Sequence, residues 1–169
     1  MRLLGSHGSE RRYEHETLGF NSRLDAIQAI VLAAKLRRLD DWNARRRAAA
    51  AVYATLLADV EEVVLPDPGA GLDHVWHLFV VRVDERDAFA EGLADAGIQT
   101  GIHYPVPLTR SPALAGHRVR TTDCPVAERA AGRILSLPMF PHLSAAQLVE
   151  VADAVRAVAM DRRLAWSVG

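Results

Sequence analysis

The stretch VWHLFVVRV, residues 75–83, decides the fold class, because its β-branched and aromatic residues predict a buried β-strand. Asp84 follows as a candidate N-cap for a helix over residues 85–96, and Gly97 is a candidate stop for that helix. A strand followed at once by a helix indicates a fold that mixes the two element types.

Downstream of this helix, residues 98–104 predict a second strand, which ends where two prolines follow. Ser144-x-x-Gln147 matches a capping box, in which a serine and a glutamine satisfy each other's backbone amides at a helix start. The other elements predicted here are a helix over 123–133 capped by Asp123, a strand over 134–137 and a last helix to about residue 159.

Upstream, residues 24–57 predict one long helical region after an irregular arm at residues 1–22. Apolar residues form two stripes at helical spacing in its first half, one from Leu24 to Ala34 and one from Leu32 to Leu39. A helix that is apolar on most of its circumference is buried on several sides, and a subunit interface is a natural second surface. We therefore predict an α+β fold: a small sheet covered by helices on one face, with a long helix projecting from it.

Composition excludes several classes of function. The 169 residues carry a formal net charge of −1, so no global field favours nucleic acid or an anionic membrane. The single cysteine, Cys124, excludes an intrachain disulfide framework and a cysteine-based metal cluster. No apolar stretch is long enough to span a bilayer and no secretory leader opens the chain, so we expect a cytoplasmic location. The start at Met1 resembles mid-protein sequence, which favours a fragment.

No standard catalytic motif is complete in the sequence. It has no glycine-rich dinucleotide loop after a strand, no phosphate loop ending in Gly-Lys and no His-Glu-x-x-His zinc motif. His74 and His77 would point to opposite faces of a strand, so no metal site is predicted there. Cys124 is interpreted as a small packing residue. Lys35 is the only lysine in the chain.

Two segments carry polar side chains that suit ligand binding. In the first, Asn21, Ser22 and Arg23 lie just before a helix, where an amide, free backbone N–H groups and a guanidinium suit a phosphate or carboxylate. Alternatively, Asn21 or Ser22 simply caps the helix. In the second, His103 and Tyr104 end a strand before two prolines, which is a rigid way to present polar groups. Alternatively, both rings pack at a domain edge.

Four ordered stretches resemble the DegT/DnrJ/EryC1/StrS aminotransferases, over about residues 1–158. They are GFNSRLDAIQA at 19–29 with its continuation AKLRRLDDWN at 34–43, WHLFVV at 76–81, GIHYPVPL at 101–108 and LSLPMFPHLS at 135–144. The resemblance implies a fold type I enzyme that uses pyridoxal 5′-phosphate (PLP) and is usually a homodimer. Its members transfer an amino group, often from glutamate, to a nucleotide-linked keto-sugar.

The resemblance also implies roles for parts of this chain. Residues 1–22 would end the large-domain arm, residues 23–58 would form the connecting and interface helix, and residues 59–169 would form the small C-terminal domain. Asn21 would reach the cofactor phosphate of the other subunit, with Arg23 beside it. His103 and Tyr104 would lie near the nucleotide-sugar site.

The family's Schiff-base lysine lies upstream of every matched segment, and Lys35 matches an ordinary helix position. Because that lysine anchors the cofactor and shuttles the proton, this chain alone is predicted not to transaminate. Thr109 stands where the family often has histidine, which affects the prediction of substrate. Three alternatives stay open: a non-catalytic module that pairs with a full-length relative, a truncated relic, and a fragment of a related sugar dehydratase that uses histidine instead of lysine.

Overall fold

A computed structural model describes residues 2–11, 14–22, 24–114 and 122–167. The helices and strands, in chain order, are α1 Arg2–Gly5, α2 Ala26–Leu36, α3 Leu39–Leu56, β1 Val63–Val64, β2 Phe79–Val83, α4 Arg86–Asp95, α5 Pro125–Ala131, β3 Ile134–Leu137 and α6 Ala145–Ser167. Two 3₁₀ turns, Leu108–Arg110 and Pro112–Leu114, precede α5. The chain divides into two compact units, residues 1–40 and 41–169. Among the described residues, no helix has both the length and the apolar character needed to cross a bilayer.

The second unit is built on a three-stranded antiparallel sheet in the order β1-β2-β3. In its register, Phe79 lies opposite Leu137 and Val81 lies opposite Leu135. All four side chains lie on the same face, because side chains alternate along a strand. All four are buried. They form one core with buried residues outside the sheet, which include Tyr53, Leu57, Phe89, Leu93, Leu148 and Val155. The predicted α+β class is confirmed.

Tyr53 joins α3 to the end of the sheet. Its side chain is fully buried, its ring centroid lies 5.1 Å from that of Phe79, and its hydroxyl donates to the carbonyl of Pro138 at 3.0 Å. α3 is also joined to α6, because the guanidinium of Arg156 donates to the Leu56 carbonyl at 2.6 Å. The carbonyl at the end of α3 therefore has a side-chain partner.

Burial raises the pKa of the Tyr53 phenol above its ordinary value of 10.0. The folded state therefore keeps this proton at a pH where the unfolded chain has lost it. We expect the stability contribution of Tyr53 to be complete below pH 10 and to fall above it, by up to about 1.4 kcal/mol per pH unit. Urea denaturation of Tyr53 and Tyr53→Phe proteins between pH 8 and about 11 measures this. Parallel pH profiles for the two proteins would contradict the prediction.

Capping signals were partly correct. Gly97 ends α4 as predicted, with φ of +80°, and Ile98 N–H donates to the Leu93 carbonyl at 2.8 Å in a Schellman arrangement. The predicted cap at Asp84 is wrong. Its carboxylate lies 2.9 Å from Arg133 instead, and Glu85 is the N-cap of α4 in the left-handed region without a side-chain bond.

The start of α6 confirms the capping box. Gln147 N–H donates to Ser144 Oγ at 3.2 Å, and Ser144 N–H donates to Gln147 Oε1 at 3.0 Å. The helix then continues to Ser167, beyond the predicted end. The predicted cap of α5 at Asp123 is wrong, because Cys124 is its N-cap and a proline opens the helix. The strand at residues 134–137 is confirmed.

Three predicted elements differ from the structure. The helical region predicted as one piece is two helices, α2 and α3, since Arg38 N–H donates to the Lys35 carbonyl and closes α2 with a tighter turn. β2 begins at Phe79, because the preceding residues turn: His74 Nδ1 accepts from Trp76 N–H at 3.0 Å, and Trp76 has φ of +50°. The strand predicted at residues 98–104 is reduced to a single bridge at Gly101.

Candidate functional site

In the arm that carries Asn21, two backbone segments are paired by hydrogen bonds without forming a regular sheet. Asn21 forms an isolated bridge with Ser6, and Ser22 N–H donates to the Gly5 carbonyl at 2.9 Å. Two glycines allow this close approach: a Cβ at Gly8 would lie 1.8 Å from the Thr17 carbonyl oxygen, and a Cβ at Gly19 would lie 2.1 Å from the Gly8 nitrogen. The backbone of Asn21 is therefore held while its side chain is exposed.

The helix cap next to this segment is Asp25. Its carboxylate accepts from Ile27 N–H at 2.8 Å, and its backbone is extended as an N-cap requires. The alternative in which Asn21 or Ser22 caps the helix is therefore wrong for α2. The Asn21 side chain is exposed and does not cap α2. Arg23 lies outside the described residues.

Lys35 lies in the last turn of α2 and is exposed. It stands nine residues after Ala26, which is about 14 Å along the helix axis at 1.5 Å per residue. This placement at the far end of a surface helix agrees with its interpretation as an ordinary helix residue.

His103 and Tyr104 stand together at the end of the short segment beside β3. Gly101 and Ser136 exchange two backbone hydrogen bonds, at 2.7 and 3.1 Å, which add this segment to the free edge of β3. The two rings meet edge to face with centroids 5.8 Å apart. Both side chains are exposed.

The imidazole of His103 has a buried partner that the sequence did not indicate. Its Nδ1 lies 2.9 Å from the hydroxyl of Ser136, which is only 5% exposed and is the one buried polar residue among those the structure describes. The ring also covers Gly101, since a Cβ there would lie 2.7 Å from His103 Cε1. The only signal for Ser136 in the sequence is a polar residue inside an apolar strand.

The loop after these rings is held by an ion pair. Arg110 donates to both carboxylate oxygens of Glu128, at 2.8 and 3.1 Å. This hydrogen bond lowers the pKa of Glu128, which is half-buried, and raises that of the exposed Arg110. Beside Arg110, the Thr109 hydroxyl is buried and has no partner among the described residues. The position where the family often has histidine therefore holds an unpaired polar atom.

The remaining polar candidates do not assemble a site. Within the described ranges, no three His, Cys, Asp or Glu side chains are grouped so that they could hold a metal ion. His74 serves the turn before β2, and Cys124 Sγ lies 3.5 Å from the Thr122 carbonyl. Asn21 belongs to the first compact unit, whereas His103 and Tyr104 belong to the second.

Comparison with known proteins decides the family. The model of the DegT/DnrJ/EryC1/StrS aminotransferase family matches residues 1–156. The chain belongs to this family. It is 51% identical over 144 residues to the erythromycin biosynthesis sensory transduction protein EryC1 of Saccharopolyspora erythraea, covering 85% of this chain and 39% of that protein.

Streptomyces venezuelae provides a further curated relative and a solved structure. The dTDP-3-amino-3,4,6-trideoxy-alpha-D-glucose transaminase is 47% identical over 156 residues, which are 92% of this chain and 41% of that enzyme. The crystal structure of DesV superposes with a TM-score of 0.87 at 47% identity, covering 94% of this chain and 43% of DesV. The chain thus spans about two fifths of the length of the relatives it matches.

Proposed function

We propose that this chain is the C-terminal part of a PLP-dependent aminotransferase that acts on nucleotide-linked keto-sugars in amino-sugar biosynthesis. The observation that carries the proposal is the exposed Asn21 amide, which the helix cap at Asp25 leaves free. The family membership and the sugar transaminase among its relatives support the same reaction class.

The residues of this chain fit the phosphate end of the cofactor. An exposed amide donor on a held backbone suits a phosphate oxygen, because charge-assisted hydrogen bonds to anions are strong. The aldehyde end needs a lysine, and the only one, Lys35, stands in the last turn of α2. When bound, PLP supplies the electron sink for amino transfer. The chain alone is therefore proposed to be inactive.

Within the complete enzyme, the side chains of this part bind and orient. Asn21 donates its amide hydrogens to the cofactor phosphate of the other subunit, and Arg23 is a second candidate cofactor-binding residue. His103 and Tyr104 present two polar groups to the nucleotide-sugar, and an amino-acid donor such as glutamate uses the same site in turn. The exposed His103 and Tyr104 rings leave these groups free for a ligand.

The domain assignment is part of this proposal. Residues 1–22 end the arm of the large domain, residues 23–58 connect the domains, and residues 59–169 form the small domain of a fold type I dimer. None of the residues of α2 is buried, and the exposed fractions of Ile27 and Ile30 are 74% and 71%. Such an apolar surface agrees with a helix that is covered by the rest of the enzyme and by a second subunit.

Sequencing the DNA upstream of the Met1 codon tests the proposal. We expect an open frame that encodes a large domain with lysine at the Schiff-base position. A histidine at that position would favour the dehydratase instead. An in-frame stop directly before Met1 would contradict an aminotransferase encoded in one frame and leave a partner module or a relic.

A further inference from the structure

We infer that Ser136 is a positioning residue for His103, holding the imidazole so that its Nε2 carries the proton and donates to an oxygen acceptor of the substrate. The inference rests on the proposed role of His103 at the nucleotide-sugar site. The predicted tautomer of the imidazole, with the proton on Nε2, does not depend on that role.

The position of Ser136 in the sheet fixes its hydroxyl. Ser136 pairs with Val80 in β2, and it exchanges two backbone hydrogen bonds with Gly101 on its other edge. Leu135 and Leu137 are buried in the core, so Ser136 projects from the opposite face by strand alternation. A serine whose backbone is bonded on both edges can present its hydroxyl at a fixed point.

The imidazole is confined from two sides. Its Nδ1 lies 2.9 Å from Ser136 Oγ, and its Cε1 edge covers the Cα of Gly101, where a Cβ would approach to 2.7 Å. Gly101 is therefore needed for the close approach of the ring. The Tyr104 ring stands edge to face against it. These three contacts restrict the orientation of the His103 ring.

The hydrogen-bond balance of Ser136 selects the tautomer. In the described part of the chain, His103 Nδ1 is the only hydrogen-bond partner of the Ser136 side chain. If Nδ1 carried the proton and donated, the buried hydroxyl proton would have no acceptor, and such an unsatisfied donor is unfavourable. If the hydroxyl donates to a bare Nδ1, the proton of the neutral ring is on Nε2. The Nε2–H is then a donor.

Nitrogen NMR of the 169-residue chain tests the structural part at about pH 8.5, where an ordinary imidazole is neutral. We expect the His103 proton on Nε2. The Nδ1 resonance should move toward that of a free imidazole in Ser136→Ala and return in Ser136→Thr, which keeps a hydroxyl. His103→Gln identifies the resonances. A proton on Nδ1, or an Nδ1 resonance that ignores Ser136→Ala, would overturn the inference.

Kinetics test the functional part in a chimera, in which residues 1–156 of this chain replace the matching segment of the S. venezuelae transaminase. Loss of one hydrogen bond that orients a binding group corresponds to roughly a threefold to tenfold change. We expect Ser136→Ala to raise KM for the sugar nucleotide by that factor, with kcat changed less than about twofold. Gly101→Ala should act in the same direction, because its Cβ displaces the ring.

A double-mutant cycle separates positioning from structure. In a His103→Ala background, Ser136→Ala should have no further effect on KM. A full effect of Ser136→Ala in that background would show that Ser136 acts through the sheet, and would overturn the inference. If His103→Ala itself leaves KM unchanged, the proposed substrate role of His103 fails, while the NMR result still decides the state of its imidazole.

Discussion

Replacing Asn21 with alanine in the chimera is expected to weaken PLP binding by about tenfold to a hundredfold. A hydrogen bond to a charged group contributes about 1.5–3 kcal/mol, and each 1.4 kcal/mol corresponds to a factor of ten in the dissociation constant. The Asn21→Ala substitution should remove this contribution without disturbing the fold. The Asn21 side chain caps no helix, and its backbone bridge with Ser6 stays in place. Titration of the apo-chimera with PLP, followed by cofactor absorbance, measures the change.

Two further variants make the Asn21 result specific. Asn21→Asp places a carboxylate near the phosphate and should weaken PLP binding at least as much as Asn21→Ala, since like charges repel. Gln99→Ala removes another exposed side-chain amide and should leave the affinity unchanged. Equal PLP affinity in the wild-type and Asn21→Ala chimeras would show that Asn21 does not contact the phosphate.

Replacing Tyr53 with alanine is expected to lower the free energy of unfolding by about 3–5 kcal/mol, the range for deleting a buried aromatic side chain. Tyr53 is fully buried between α3 and the sheet, and it contacts Phe79. Its removal leaves a cavity and also leaves the Pro138 carbonyl without its hydroxyl donor. Because Pro138 follows β3, the loss affects the strand that carries Ser136. Urea denaturation followed by circular dichroism measures it.

Neighbouring substitutions separate the causes of the Tyr53 effect. Tyr53→Phe keeps the ring and loses only the hydroxyl, so we expect a cost of about 1 kcal/mol at neutral pH. Val52→Ala alters the adjacent residue of α3, which is 38% exposed, and should cost much less than Tyr53→Ala. If Tyr53→Ala destabilised the protein no more than Val52→Ala, the position of α3 on the core would be wrong.

The parts of the fold that follow from local chemistry could be predicted. The reciprocal bonds of Ser144 and Gln147, the left-handed Gly97 and the strand at residues 134–137 depend on residues close in sequence. Asp84 failed as a cap because α4 begins at Arg86 with Glu85 as its N-cap, and the Asp84 carboxylate lies 2.9 Å from the Arg133 guanidinium. β1 was not predicted, since two residues are too short to show alternation.

The candidate site likewise has a part that could be predicted from the sequence and a part that could not. Local residue types singled out Asn21, His103 and Tyr104 but left each with a structural alternative, and the family resemblance then implied their roles. The structure removes the capping alternative for Asn21 by assigning the cap to Asp25. Ser136 could not be predicted, because its contact with His103 joins residues 33 positions apart and depends on the pairing of Gly101 with β3.

The most direct test of the central claim is amino transfer to the sugar nucleotide, measured side by side for the chimera and for the 169-residue chain with added PLP. We expect transfer by the chimera, which obtains a Schiff-base lysine from the relative's upstream part, and none by the chain alone. Amino transfer by the chain alone, lost in Lys35→Ala, would contradict the proposal. So would a folded, PLP-binding chimera without activity.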